Sequence, residues 1–126
     1  MGNKKICIDF DGTVVMNDYP YVGSDVPGAA DVFAKLVYAG HELILLTMRA
    51  DNLQDDAEAW FQANDIPLKY SGCNPELETG SRKVYAHLYI DDHGAGIPLI
   101  HDTEEHRKPY VDWVKLEEWL KENGWI

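Results

Sequence analysis

Lys5-Ile-Cys-Ile-Asp9-Phe-Asp11-Gly12-Thr13-Val14 begins as an apolar run and ends abruptly in acids and a glycine. Lys5 to Phe10 reads as a short buried strand, and Gly12 lets the chain turn sharply away from it. Residues Asp11 to Pro27, rich in Gly, Asp, Asn, Pro and Tyr, read as a loop with a small hairpin around Val14-Val15. Beyond them Ala29, Val32, Phe33, Leu36 and Val37 mark one helix face, with Pro27 suited to the first turn and Gly40 to the end. His41 to Thr47 is a second strand. Its centre, Leu43-Ile-Leu-Leu46, does not alternate, as expected where both faces of a parallel strand are covered.

The same punctuation continues along the chain. Asp51 is the expected N-cap of a second helix, with Gln54 completing a capping box and Leu53, Ala57, Trp60 and Phe61 on one face. Asn64-Asp65 ends it. Ile66 to Tyr70 is a third strand, which Pro67 places at an edge. Ser81 to Tyr85 reads as one helical turn, His87 to Ile90 as a fourth strand running into Asp91-Asp92, and Ile97 to Ile100 as a short fifth. A last helix starts near Asp112, buries Trp113, Leu116 and Leu120, and stops at Gly124. Strands alternating with helices predict an α/β fold: a three-layer, Rossmann-like parallel sheet with helices on both faces.

The 126 residues, without repeat or linker, make one domain, 1–126. Eleven Lys and Arg against twenty-two Asp and Glu leave a net charge of −11. Such a surface repels polyanions, which argues against nucleic-acid and anionic-membrane partners. No apolar run approaches the ~20 residues needed to span a bilayer, and the first residues show no secretory cleavage pattern, so a cytoplasmic location is expected. Cys7 and Cys73 form no metal-binding spacing; Cys7, in an apolar run, reads as a buried free thiol.

In parallel sheets ligands bind at the carboxyl ends of the strands. Here those ends carry Asp9-Phe-Asp11-Gly12-Thr13, Thr47-Met-Arg49 and Asp91-Asp92. Taken singly, each is an ordinary turn or cap signal; together they bring acids, a hydroxyl and a cation to one rim. Close carboxylates repel by roughly 4 kcal/mol per pair at an effective dielectric of 20, so the cluster calls for a cation. Only oxygen donors are offered, which selects a hard ion such as Mg²⁺ over zinc. Four carboxylates, one Mg²⁺ and Lys83 sum to −1. A phosphate dianion makes this −3, Arg49 brings it to −2, and one protonated Asp restores −1, the proton a leaving alkoxide requires. A calcium loop does not fit, because Gly12 and Pro20 fall where such a loop needs other residues. His101 and His106, with Asp102, Glu104 and Glu105, match no zinc spacing.

The stretch Asp9-Phe-Asp-Gly-Thr-Val14 resembles the first motif of the haloacid dehalogenase-like superfamily. Thr47 after Leu-Ile-Leu-Leu is similar to its second motif, Lys83 to its third and Tyr89-Ile-Asp-Asp92 to its fourth, in the family's order from Ile6 to Asp92. The resemblance implies a Mg²⁺-dependent phosphatase in which Asp9 attacks phosphorus to form an aspartyl-phosphate. Asp11 would protonate the leaving group and then activate water. Thr47 and Lys83 would hold the phosphoryl oxygens, with Arg49, Gly12 and Thr13 as further substrate contacts. Asp9, Asp11, Asp91 and Asp92 would supply the metal site, Asp11 through its backbone carbonyl. Neither the loop from Val14 to Pro27 nor the stretch between Thr47 and Lys83 has room for a cap domain. An open site for a phosphorylated substrate is therefore expected, unless a second copy of the chain covers it. A response-regulator receiver uses similar residues, but with its acid pair first and lysine last. The remaining alternative is a low-turnover phosphate-binding or regulatory protein on the same fold.

Overall fold

The computed structural model describes residues 3–77, 80–101 and 108–126. Asp102, Glu104, Glu105 and His106 lie outside them. In chain order the elements are β1 (Lys5–Ile8), β2 (Val15–Asp18), β3 (Tyr21–Asp25), α1 (Ala29–Tyr38), β4 (Glu42–Leu45), α2 (Asn52–Ala63), β5 (Leu68–Ser71), β6 (Leu88–Ile90), β7 (Leu99–Ile100), β8 (Tyr110–Val111) and α3 (Trp113–Glu122). Four strands form a parallel sheet in the order β5-β4-β1-β6. β2 and β3 make an antiparallel hairpin, and β7 and β8 a separate antiparallel ribbon.

The strand order explains the packing. From β1 to β4 to β5 the chain steps twice in one direction, and right-handed crossovers then place α1 and α2 on the same face. The larger core cluster agrees: Ile6, Ile8, Leu43 and Leu45 pack with Val32, Phe33 and Leu36 of α1, Ala57, Trp60 and Phe61 of α2, and Leu116 and Leu120 of α3. The return from β5 to β6 runs the other way, so it crosses the opposite face. There the cover over Cys7 and Ile44 is Ala86, with half-buried Leu46, Tyr70 and Val84. Among the described residues, α1, α2 and α3 thus cover one face, and Val84 and Ala86 from the stretch before β6 lie over the other.

Four local expectations are corrected. Gly28, not Pro27, starts α1, as its N-cap at φ 88. Asp51 makes no side-chain cap bond, and Gln54 instead donates from Nε2 to Ser71 Oγ at 2.8 Å, tying α2 to the edge strand. Ser81–Tyr85 forms no helical turn; a single 3-10 turn occurs earlier, at Pro75–Leu77. Within Ile97–Ile100 only Leu99 and Ile100 are strand, and they pair with Tyr110 and Val111 outside the main sheet. The outcomes at Gln54 and at Leu99–Ile100 depend on partners distant in sequence. The last helix does start at the expected place, and Asp112 is its N-cap, its carboxylate accepting from Lys115 N–H.

The β8–α3 junction is fastened to the loop after β1. Val111 N–H donates to Gly12 C=O at 3.0 Å, and the buried Trp113 indole donates from Nε1 to Thr13 C=O at 2.8 Å. The Trp113 ring also meets Phe33 edge-on at 4.9 Å. Trp113→Phe keeps most of the apolar contact but leaves the Thr13 carbonyl buried without its donor. A loss of about 1–3 kcal/mol in denaturant unfolding is expected, and an unchanged midpoint would show that this bond does not hold the loop.

Candidate functional site

β1 and β6 are parallel neighbours, so their carboxyl ends deliver Asp9 and Asp91-Asp92 to one rim. The ladder continues one step beyond the strands, with Asp9 N–H donating to Ile90 C=O at 2.9 Å. One carboxylate oxygen from each of Asp9, Asp91 and Asp92 lies within 4.8 Å of the others, and all three residues are half-buried.

Thr13 locks this arrangement. Its fully buried hydroxyl accepts from Asp92 N–H and donates to Asp9 Oδ2, both at 3.1 Å. Expected as a substrate contact, Thr13 is enclosed and acts on the two acids instead. Gly12, at φ +85, passes so close to Asp92 that a Cβ there would collide with Oδ2 and sit 2.9 Å from Cγ. Only glycine allows that approach.

Crowding has an electrostatic consequence. Burial, then the Asp91 charge and the Asp92 carboxyl, push the Asp9 pKa up to about 8, against a smaller opposing pull from the Thr13 hydroxyl. Burial also raises Asp92. Next to them His93, largely exposed, has Nε2 at 3.7 Å from Asp92 Oδ2, while its backbone N–H donates to Asp91 Oδ1 at 2.9 Å. Three oxygen donors that resist sharing negative charge fit a hard divalent cation, which would neutralise them; the donor set does not single out Mg²⁺.

Asp11 lies elsewhere. Its Oδ2 accepts from Arg49 Nε and its Oδ1 from Arg49 Nη2, both at 2.8 Å. The Arg49 side chain is fully enclosed. It also donates to the carbonyls of Pro20 at 3.1 Å and Tyr21 at 2.8 Å, at the turn of the β2–β3 hairpin. Its guanidinium carbon lies 5.2 Å from the Phe10 ring centroid and 5.3 Å from that of Tyr19. The Asp11 contact raises the Arg49 pKa further. Arg49 is therefore placed as an internal partner of Asp11, not as a group facing a ligand, and the Asp11 carboxylate is not among the three clustered acids.

Thr47 is half-buried just beyond β4, and its Oγ1 accepts from Arg49 N–H at 3.1 Å. Lys83 is exposed, with Nζ 5.4 Å from the Tyr89 ring centroid; it makes no ion pair among the described residues. Tyr89 in turn donates to Val84 C=O at 2.6 Å and accepts from Ala86 N–H at 2.9 Å, fixing the segment that carries Lys83. The structure thus joins Asp9, Asp91 and Asp92 through Thr13, pairs Asp11 with Arg49, and holds Lys83 on Tyr89. Sequence reading missed Trp113 and the hairpin carbonyls as supports of the rim. No motif marks them, because the one lies a hundred residues from Thr13 and the others are backbone.

No family model matches the chain, and no curated protein does. Among solved structures, the chain is similar to a conserved protein coded by a locus of Bacteroides thetaiotaomicron, with 31% sequence identity and a TM-score of 0.78. The match covers 96% of this chain and 92% of that one, so the two belong to the same family.

The charge crowding can be read in stability. Asp9 ionises at about 8 in the fold and at about 4 in the unfolded chain. Between those values the folded state binds more protons, so this contribution is complete below about pH 4 and disappears as pH rises through about 8. In EDTA, wild-type stability should fall relative to Asp9→Asn by about 1–3 kcal/mol between about pH 5 and pH 8. A flat difference in thermal unfolding would remove the crowding. Gly12→Ala should cost about 1–3 kcal/mol through its positive φ. It should also weaken stabilisation by added Mg²⁺ through displacement of Asp92; undiminished stabilisation would show that Asp92 does not need this close approach.

Proposed function

We propose that the protein is a divalent-cation-dependent phosphomonoester hydrolase that works through transient phosphorylation of Asp9 at an open rim. The observation that carries this reading is the convergence of Asp9, Asp91 and Asp92 from the ends of two adjacent strands. Like charges are brought together there and steadied by Thr13, an arrangement that disfavours folding unless a cation is to be held. Bound Mg²⁺ would lie among these three acids and neutralise charge on the transferring phosphoryl group.

The residues then divide the chemistry. An Asp9 carboxylate oxygen attacks phosphorus, and the bond from phosphorus to the ester oxygen breaks. The departing oxygen takes a proton, which the resemblance assigns to Asp11. Water, giving a proton back to Asp11, next attacks phosphorus, the bond to Asp9 breaks, and inorganic phosphate leaves with the Asp9 carboxylate restored. Thr47, just beyond the end of β4 beside β1, is the hydroxyl that would bond phosphoryl oxygens in this reading. The cation role expected of Lys83 requires its ammonium to leave the Tyr89 ring. A rim without an inserted cap, as this reading has it, would suit phosphoryl groups carried on bulky substrates.

One observation favours the second reading, a phosphate-binding protein of low turnover: both oxygens of Asp11 are occupied by Arg49. The two readings separate on p-nitrophenyl phosphate. Hydrolysis should require Mg²⁺, stop in EDTA, and fall at least ~10³-fold in Asp9→Asn. Asp91→Asn should retain turnover at raised Mg²⁺. Phosphate binding without turnover in the wild type would favour the second reading, and wild-type turnover in Asp9→Asn would exclude Asp9 as nucleophile.

A further inference from the structure

We infer that Arg49 is a positioning residue that makes the freeing of Asp11 and the lifting of the β2–β3 hairpin turn a single event. The inference goes beyond the hydrolase reading and rests on it only for what Asp11 does once free; the joint itself stands on geometry.

The hairpin is weakly attached near its turn. β3 is mostly exposed, and Tyr19 and Tyr21 are 56% and 71% exposed. Its base is anchored differently, by buried Val15 and Val26 and by the Trp60 indole donating to Asp25 Oδ1 at 2.8 Å. Among the described residues, the hydrogen bonds that tie residues 19–22 to the body of the protein are the two from Arg49 to the Pro20 and Tyr21 carbonyls. The same enclosed guanidinium holds both oxygens of Asp11.

One planar fork thus serves a rim carboxylate and an exposed turn at once. If the turn lifts, Arg49 loses two carbonyl acceptors and its cover by Tyr19, and water reaches the ion pair and weakens it. If Asp11 turns away, the guanidinium loses the carboxylate that orients its plane, and the remaining bonds to Pro20 and Tyr21 lose their geometry. Lysine could not replace it, since an ammonium lacks the flat, five-donor geometry. In the closed arrangement Arg49 engages both oxygens of Asp11, so the joint also sets when Asp11 can turn toward a leaving group.

Hydrogen exchange by mass spectrometry on the full chain tests this, read on a peptide covering residues 17–24. Arg49→Met should speed exchange there by about 10-fold and leave peptides from β1 and β4 at wild-type rates. Asp11→Asn, whose side chain is hydrogen-bonded to Arg49 and to no residue of 17–24, should speed the same peptide, and Arg49→Met with Asp11→Asn together should exceed neither single change, the non-additivity of one shared joint. Wild-type exchange in Asp11→Asn, or acceleration that multiplies in the double variant, overturns the inference. Should Arg49→Met alone not fold, the comparison passes to Asp11→Asn and the double variant: equal acceleration supports the joint, and acceleration in the double variant alone overturns it. Absence of phosphatase turnover would count against the hydrolase reading and leave these exchange results standing.

Discussion

Three carboxylates held a few ångströms apart, at the ends of two strands and partly out of water, constrain everything around them. Coulomb repulsion at an effective dielectric near 20 is worth roughly 4 kcal/mol for a close pair, and burial adds to it. The fold meets that cost with rigid supports. β1 is almost wholly enclosed, Asp9 N–H is held by Ile90, Thr13 bonds to both Asp9 and Asp92, and Gly12 gives Asp92 room. Trp113 and Val111 then fasten the loop that carries Gly12 and Thr13. The displaced Asp9 pKa is the remaining trace of the conflict, and cation binding is the natural relief.

Asp9 and Asp11 show how environment separates two identical side chains. Both leave the end of β1 within two residues of each other. Asp9 meets like charges, which favour its neutral form; Asp11 meets the Arg49 guanidinium, which donates to both of its oxygens. Divergent surroundings of this kind let two carboxyl groups take different parts in one reaction. Asp11 is joined to the hairpin through an arginine whose donors are shared between its carboxylate and two main-chain carbonyls.

Sheet order accounts for where the site lies. β1 stands between β4 and β6, and the chain reaches those neighbours by crossovers running in opposite directions. A crevice opens at such a switch point, beyond the carboxyl ends. Asp9, Asp91, Asp92 and Thr47 all follow the ends of strands that meet there. The ribbon of β7 and β8 adjoins the loop after β1, since Val111 N–H donates to Gly12 C=O, and Asp112 N–H donates to Pro98 C=O as the chain enters α3.

The strands around Ile6, Ile44 and Ile90, the helix faces of Phe33, Phe61 and Leu120, and the acids after β1 and β6 were all legible in the residues alone. These features are local: apolar periodicity, glycine punctuation and the alternation of strand with helix state them within a few residues. Gln54 leaving its cap for Ser71, Leu99 pairing with Val111, Thr13 turning inward and Arg49 closing on Asp11 were decided only by the tertiary structure. A side chain with several satisfactory partners chooses among them by which ones the packed backbone brings within about 3 Å, and no short window of sequence contains that distance.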